Sequence, residues 1–242
     1  LQYNHTVYNC KSSYKATKNF MYPSLSLYLH IPFCRHRCAY CDFNTYTSLS
    51  DLQTTYASAL STEIRQIAGA FSRPVHTIFF GGGTPSLMSP TDMQTIMTAA
   101  YDSFDIHPTA EISMEANPNT ITRPYLDEMS ALGINRLSFG VQSVVPSELA
   151  LLERQHDFQT VVDAVATARA AGFENFNIDL IYGVPGQTLA SWEESVRAVL
   201  DFRPKHLSLY CLTIEEGTPM ARWLHNGTMP APDADLAADQ FD

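Results

Sequence analysis

A short apolar run passes directly into a glycine turn in the stretch His76-Thr-Ile-Phe-Phe-Gly-Gly-Gly-Thr-Pro85. The run is bounded by turn residues and rich in β-branched and aromatic side chains, which is typical of a buried strand. An amphipathic helix is predicted after it, with Ser89 as the N-cap and Pro90 in the first turn. Strand, turn and helix in this order favour a parallel sheet, because parallel neighbours need a crossover connection.

The same unit repeats along the chain. Predicted strands cover residues 25–31, 76–80, 111–116, 135–139, 175–181 and 206–210. Predicted helices cover residues 51–68, 89–101, 124–132 and 189–200, with further helical material up to residue 171. Six strand–helix alternations with short connections predict an α/β fold built on a parallel sheet.

Polar or glycine-rich residues follow strand after strand. They are three cysteines after the first strand, Gly81-Gly82-Gly83 after the second, Glu115 at the third, Gln142 after the fourth and Asp179 within the fifth. An open doubly wound sheet concentrates such residues at a switch point, whereas a barrel gathers all strand ends into one mouth. The pattern therefore predicts an incomplete (β/α)6 TIM-like barrel with parallel strands.

Composition and charge exclude several classes of protein. The chain has 242 residues, 15 of them basic and 25 acidic, for a net charge of −10, and it has no basic patch for sequence-independent nucleic-acid binding. No run approaches the roughly 18 consecutive apolar residues that span a bilayer. The N-terminus carries no secretory pattern. We therefore expect a cytoplasmic protein with no nucleic-acid partner and no membrane span.

Three of the five cysteines lie together in Cys34-Arg-His-Arg-Cys38-Ala-Tyr-Cys41. This clustering points to a metal site in a reducing compartment rather than to a disulfide framework. Three thiolates on one loop suit one face of an iron–sulfur cube and leave the fourth iron open to another ligand. Two alternatives remain: a zinc site completed by His30 or His36, and a disulfide with one spare thiol.

The cysteine spacing, with Tyr40 as its aromatic residue, resembles the signature of radical S-adenosylmethionine enzymes. Further motifs narrow the resemblance to the oxygen-independent coproporphyrinogen III oxidase family. These motifs are Tyr28-Leu-His-Ile-Pro-Phe-Cys34, the GGGTP stretch at residues 81–85, Leu151-Leu-Glu-Arg-Gln-His156 and Asn177-Ile-Asp-Leu-Ile-Tyr-Gly183. Within the family the chain is most similar to the HemW-type haem chaperones, because Phe43 stands where the oxidases carry a further cysteine.

The resemblance covers about residues 25–219 and divides the chain into three parts. Residues 1–20 carry lysines, no acid and little apolar periodicity, and we expect a disordered lead-in there. Residues 21–217 are expected to form the radical S-adenosylmethionine core domain. Turn residues and a short acidic end at residues 218–242 indicate a linker and the start of a truncated C-terminal domain.

The resemblance implies a [4Fe–4S] cluster on Cys34, Cys38 and Cys41, with S-adenosylmethionine on the open iron. It also places the methionine end of S-adenosylmethionine on the glycine turn, where no side chain blocks close approach. The turn residues implied are Gly82, Gly83 and Thr84. Without the resemblance, this turn reads as an ordinary strand-to-helix connection.

Other polar residues match cofactor-contacting positions of the family. Arg154 matches the arginine for the carboxylate of S-adenosylmethionine, to which a guanidinium can donate two hydrogen bonds. Asp179 lies in an otherwise apolar strand and needs donors, which a ribose diol supplies. The remaining matches are Tyr28, Tyr40, Glu115, Gln142 and Thr213. Each residue also has a structural reading, such as an exposed ion pair for Arg154 or a hydrogen-bonded rim residue for Glu115.

Charged and histidine residues near these motifs have weaker implications. His156 belongs to a segment typical of the chaperone branch, although a lone histidine is more often a structural residue. Arg35, His36 and Arg37 place positive charge beside the cluster, where an acidic partner, haem propionates or solvent can meet it.

The resemblance implies a chaperone that carries haem as cargo and inserts it into apo-haemoproteins of the respiratory chain. The implied partners are haem or porphyrin, acceptor haemoproteins that can be membrane-associated, and an electron donor. The first alternative is an oxidase that decarboxylates coproporphyrinogen III in porphyrin biosynthesis. The second alternative is a structural zinc or interaction domain without redox chemistry.

Overall fold

The computed structural model describes residues 24–242, so the predicted lead-in at residues 1–20 lies outside the described residues. Strands and helices alternate along this part of the chain. The elements are β1 (Leu25–Ile31), α1 (Gln53–Ala68), β2 (Val75–Gly82), α2 (Pro90–Ser103), β3 (Ile106–Ala116), α3 (Arg123–Ala131), β4 (Arg136–Gln142), α4 (Pro146–Leu151), α5 (Phe158–Ala170), β5 (Phe176–Tyr182), α6 (Leu189–Leu200), β6 (His206–Cys211), α7 (Pro219–His225) and α8 (Ala234–Phe241). None of these helices combines the length and the apolar character that crossing a bilayer requires.

The six strands form one parallel sheet in the order β1-β2-β3-β4-β5-β6. A doubly wound sheet reverses its strand order at a switch point, whereas this sheet adds each strand beside the previous one. Since parallel crossovers are right-handed, this order places the connecting helices on one face and leaves the other as an inner face. The prediction of an incomplete (β/α)6 barrel is confirmed.

The two faces of the sheet differ in polarity. In β1, Leu29 and Ile31 are buried towards the helices, while the side chain of Tyr28, just before Leu29, is 58% exposed on the inner face. Phe80, Phe139 and Phe176 are the largest fully buried side chains of the core between sheet and helices. The apolar outer face therefore stabilises the fold, and the inner face is free to carry polar groups.

The structure differs from the sequence prediction around β4. The single helical stretch predicted up to residue 171 is divided into α4 and α5, and β4 continues to Gln142. Glu153 has a positive φ of 54°, which a helix does not allow. Asp157 then caps α5 by accepting a hydrogen bond from the Thr160 amide at 2.8 Å. The break places Arg154 and His156 on a loop beside the end of β4.

Two short helices, α7 and α8, form within residues 218–242, where the sequence predicts a linker and the start of a truncated C-terminal domain. Thr218 and Asp233, which resemble loop residues in the sequence, are the N-caps of these helices. Met220 is fully buried, and its amide donates to the Ala39 carbonyl at 3.1 Å. This end of the described chain therefore packs on the loop that carries the cysteines.

Substituting Gln240 with alanine is expected to destabilise the fold by about 1–3 kcal/mol. The buried Gln240 side chain accepts from the Gly183 amide at 2.9 Å and donates to Gln187 Oε1 at 3.1 Å. The Gly183 amide would lose its side-chain acceptor inside the protein, and Gln187 Oε1 would keep only the hydrogen bond from the Val184 amide at 3.3 Å. Urea unfolding measures the change, and the exposed Asp239→Ala on the same helix is the control. Equal stability of the two variants would contradict the prediction.

Candidate functional site

The carboxyl ends of the strands surround one cavity of about 540 Å³. The last residues of the strands and the loops that follow them line it, because all strands of a parallel sheet end at the same edge. The cavity contains eleven of the residues singled out from the sequence as cluster or cofactor candidates: Cys34, Cys38, Tyr40, Cys41, Gly82, Gly83, Thr84, Glu115, Gln142, Arg154 and Asp179. Thr213, after β6, also lines it.

The loop that carries the cysteines is held to the end of β1 by backbone hydrogen bonds. The Tyr46 amide donates to the Pro32 carbonyl at 2.7 Å, and the Cys34 amide donates to the Tyr46 carbonyl at 3.1 Å. Inside the loop, Arg37 Nε donates to the Cys41 carbonyl at 3.1 Å. The loop therefore closes on itself and turns its cysteines towards the cavity.

The space and the donors around the cysteines fit an iron–sulfur cluster. A Cβ atom at Gly83 would lie 2.7 Å from the Phe33 carbonyl oxygen and 3.1 Å from Cys34 Sγ, so this position has room only for glycine. Thr84 Oγ1 donates to Cys34 Sγ at 3.6 Å, and Arg154 Nη1 donates to Cys38 Sγ at 3.3 Å. Hydrogen bonds to cysteine sulfurs are one means by which proteins tune such clusters.

The electrostatics of the three thiols also favour a cationic occupant. Burial raises the pKa of the Cys34 and Cys41 thiols, and the neighbouring thiols raise it further. Positively charged iron would supply the charge that lets Cys34 and Cys41 ionise. Within residues 24–242, no three His, Cys, Asp or Glu side chains converge as ligands of a single ion do.

The glycine turn after β2 approaches the cysteine loop through backbone alone. Gly82 has a φ of +116°, and a Cβ atom there would overlap the His30 ring. Its amide donates to Glu115 Oε2 at 3.0 Å. The Thr84 amide donates to the Phe33 carbonyl at 2.8 Å, which fixes the turn against the end of β1. A ligand in the cavity therefore meets main chain on this side.

Two carboxylates also line the cavity: Glu115 on β3, beside the glycine turn, and Asp179 on β5. Burial raises the pKa of Glu115 to about 7, the Gly82 amide lowers it, and the charge of Asp179 raises it. Burial also raises the pKa of Asp179, against hydrogen bonds that lower it. Ser138 Oγ donates to Asp179 Oδ2 at 3.2 Å, and Asn177 Nδ2 donates to Oδ1 at 2.7 Å. These carboxylates, when ionised, would attract the cationic groups of a ligand.

Glu115→Gln is expected to stabilise the protein progressively as the pH rises from about 4.5 to about 7. In that range the folded state keeps a proton on Glu115 that the unfolded chain releases, so ionisation costs folding stability. The full difference is about 3 kcal/mol, because each pKa unit corresponds to about 1.4 kcal/mol. Denaturant unfolding of variant and parent at several pH values measures it. The exposed Glu63→Gln on α1 controls for the loss of one carboxylate, and a pH-independent difference would contradict the prediction.

Arg154 and Gln142 form the wall between β4 and the cysteine loop. Arg154 is half-buried, and its Nη2 donates to the Gly140 carbonyl at 2.6 Å. Neither its Nε nor Gln142 Oε1 has a partner among residues 24–242, although both atoms are buried. Unpaired buried polar atoms of this kind are usually satisfied by a bound water, ion or ligand.

The two tyrosines among the candidate residues lie in different places. Tyr40 lines the cavity next to Arg154 and Cys38, and burial raises its pKa, so it stays protonated. Tyr28 lies outside the cavity lining. Its ring stacks on Phe79 with centroids 6.1 Å apart, and its hydroxyl is 3.0 Å from His30 Nδ1.

The two histidines considered as zinc ligands interact with other groups. His30 Nε2 is 2.9 Å from the Asn44 carbonyl oxygen, and His36 Nε2 is 3.6 Å from the Glu153 carboxylate.

Sequence reasoning missed other residues of the cavity wall, notably Ser138, Gly140 and Asn119. Ser138 shares the inner face with Asp179, and the alternation of side chains along β4 is a signal that identifies it. The same alternation places Gly140 on this face, but it does not show why glycine is needed there. A Cβ atom there would lie 3.1 Å from Gln142 Nε2, a constraint that only the folded strand creates.

A comparison with protein families supports the same interpretation. The sequence model of the radical SAM superfamily matches residues 28–199, from the middle of β1 to the end of α6. The chain belongs to the radical SAM superfamily. That match includes the cysteine loop, the glycine turn and most of the remaining cavity wall, so the superfamily assignment rests on the site as well as on the fold.

Individual relatives place the chain among the HemN-like, HemW-type members of the superfamily. It is 40% identical over 220 residues to the haem chaperone HemW of Mycobacterium tuberculosis, covering 89% of this chain and 56% of that protein. HemW of Escherichia coli is 39% identical over 223 residues, covering 91% and 58%. The crystal structure of coproporphyrinogen III oxidase (HemN) from Escherichia coli superposes with a TM-score of 0.81 at 33% identity, covering 90% of this chain and 50% of that one. The chain thus spans about half the length of these relatives.

Proposed function

We propose that this radical SAM chain holds a [4Fe–4S] cluster on Cys34, Cys38 and Cys41 and binds S-adenosylmethionine beside it. One observation carries the proposal: the three thiols share a single cavity with Arg154, Asp179 and the other residues that match cofactor positions. These residues come from different elements between β1 and β5, and they line one cavity. A purely structural cysteine cluster would not need polar residues from several strands around it. The cluster would supply an electron to the sulfonium.

The residues of the chain divide the recognition of S-adenosylmethionine between them. Arg154 has an unused Nε donor for the carboxylate, and the backbone of Gly82 and Gly83 approaches the amine. Asp179 is held by Ser138 and Asn177 in a position to accept from the ribose hydroxyls. Glu115 supplies negative charge to a cationic ligand once it is ionised, so affinity should rise with pH through about 7.

The whole protein is proposed to be a haem chaperone that delivers haem to apo-haemoproteins. Support comes from relatives named haem chaperone HemW in two distant bacteria, at 40% and 39% identity. Haem or porphyrin would be the cargo, and an electron donor and acceptor haemoproteins, some of them membrane-associated, would be the partners. A cytoplasmic location is proposed with this function.

Anaerobic reconstitution with iron and sulfide, followed by electron paramagnetic resonance (EPR), tests the cofactor proposal. The reduced protein should show a [4Fe–4S] spectrum that changes when S-adenosylmethionine is added, because the ligand binds the open iron. A zinc-loaded protein without a cluster, or a spectrum unaffected by S-adenosylmethionine, would overturn it. Titration of this chain and of a longer chain with haem then tests the cargo.

Oxidative decarboxylation of coproporphyrinogen III is the second candidate function. It is favoured by the similarity to the solved oxidase, at 33% identity and a TM-score of 0.81. Against it, the exposed Phe43 lines the cavity where the oxidase family carries a cysteine. Incubation of a full-length protein with coproporphyrinogen III, S-adenosylmethionine and a reductant separates the two functions, since only the oxidase forms protoporphyrinogen.

A further inference from the structure

The end of β4 has an unusual backbone. Its pairing with β5 is interrupted by a bulge between Gly140 and Gln142, where the register shifts. Gln142 has a φ of +72°, a left-handed conformation that costs a non-glycine residue about 1 kcal/mol or more. Because of this turn the Gln142 side chain lines the cavity. Such a conformation persists only where neighbouring groups hold it.

Two side chains of one loop hold consecutive carbonyls of this bulge. Arg154 Nη2 donates to the Gly140 carbonyl at 2.6 Å, and His156 Nε2 lies 3.1 Å from the Val141 carbonyl oxygen. A carbonyl only accepts, so Nε2 carries the proton and donates. Arg154 also donates to Cys38 Sγ, whereas the His156 side chain, within residues 24–242, forms its hydrogen bond to the Val141 carbonyl.

The surroundings of His156 fit a structural donor rather than an acid or base. The side chain is buried, and burial together with the Arg154 charge lowers its pKa to about 4. The charged groups that act on it are Arg154 and Asp157, one of each sign. His156 is therefore neutral at ordinary pH and keeps one proton, which the Val141 carbonyl fixes on Nε2.

We propose that His156 is a positioning residue: its hydrogen bond to Val141 holds the β4 bulge in the form that aims Gln142 into the cofactor cavity. Without that bond the Val141 carbonyl loses its partner inside the protein, and Gln142 can relax out of its left-handed conformation. The consequence for S-adenosylmethionine binding rests on the proposed function, whereas the effect on the bulge does not.

The test compares His156→Phe, which keeps a ring but has no donor, with His156→Gln, whose Nε2–H reaches about as far from the backbone. Hydrogen exchange read by mass spectrometry on the unloaded chain should show faster exchange around residues 140–143 in His156→Phe and parent-like exchange in His156→Gln. In the reconstituted protein, His156→Phe should bind S-adenosylmethionine about tenfold more weakly, and His156→Gln should restore most of the affinity.

A control separates positioning from general destabilisation. Val161→Ala removes buried side-chain volume from α5 and should lower stability without changing exchange at residues 140–143 or ligand affinity. Parent-like exchange and affinity in His156→Phe would overturn the inference, as would equal effects of Val161→Ala. His156→Met replaces the phenylalanine variant if that one does not fold. If the parent itself binds no S-adenosylmethionine, the proposed function fails, and hydrogen exchange still decides the role of His156.

Discussion

Alanine at Cys34, Cys38 or Cys41 will reduce the iron–sulfur content of the reconstituted protein to below about one tenth of the parent's. Each thiol would bind a different iron, and the buried cavity offers no other thiol on the same loop. Loss of one ligand exposes a second iron and lets the cluster dissociate. Iron and sulfide per chain, with EPR of the reduced protein, measure the effect.

Cys211→Ala is the matched control for the cysteine variants. Cys211, at the end of β6, is an exposed thiol that lines the same cavity, but it belongs to no part of the cysteine motif. The variant should keep a full cluster and its response to S-adenosylmethionine. Retention of the cluster by any of the three motif variants, or its loss in Cys211→Ala, would contradict the ligand assignment.

The order of the elements could be predicted because hydrophobic periodicity and turn chemistry agree along most of the chain. The helix predicted at residues 189–200 is α6 (Leu189–Leu200) in the structure, and it begins at a capping box formed by Thr188 and Ser191. The sheet order could be predicted because the polar residue at the end of each strand was assigned to a single opening of a barrel. The choice of a barrel over a doubly wound sheet depended on that spatial argument rather than on local sequence.

Features that depend on tertiary contacts could not be predicted. The break at Glu153 and the bulge at Gln142 both require positive φ in residues that do not favour it, so local propensity gives no warning. The helices α7 and α8 are short, and their caps resemble loop residues. Burial of Gln240 against Gln187 and Gly183 explains α8, and no short-range pattern contains that information.

The candidate site shows the same division. Glu115 and Gln142 lie at strand ends, so the rule that a parallel sheet gathers its carboxyl ends was sufficient to place them at the cavity. Tyr28 lies in the middle of β1, in register with Phe79 of β2, and its ring packs along the inner face below the cavity. A match to a family motif does not give the position of Tyr28 along the strand relative to the cavity, because only the register of the sheet determines that position.

Arg154→Met is expected to weaken S-adenosylmethionine binding by about thirtyfold or more, because removing one partner of a buried charge pair costs about 2 kcal/mol or more. The guanidinium is held between Cys38 and the Gly140 carbonyl, and its Nε has no partner among residues 24–242. Methionine fills similar volume without charge or donors. Calorimetric titration of the reconstituted protein measures the affinity, and cluster content should stay near the parent's.

Arg154→Lys distinguishes the contribution of charge from that of geometry. Lysine keeps the positive charge, but a single ammonium cannot reach the Cys38 sulfur, the Gly140 carbonyl and a ligand carboxylate in one plane. Its affinity should therefore lie between those of the parent and Arg154→Met. If both variants instead lose the cluster while the remaining bound fraction keeps parent-like affinity, then Arg154 acts by holding Cys38 and not by binding the carboxylate. Parent-like affinity and cluster content in Arg154→Met would remove the guanidinium from the site altogether.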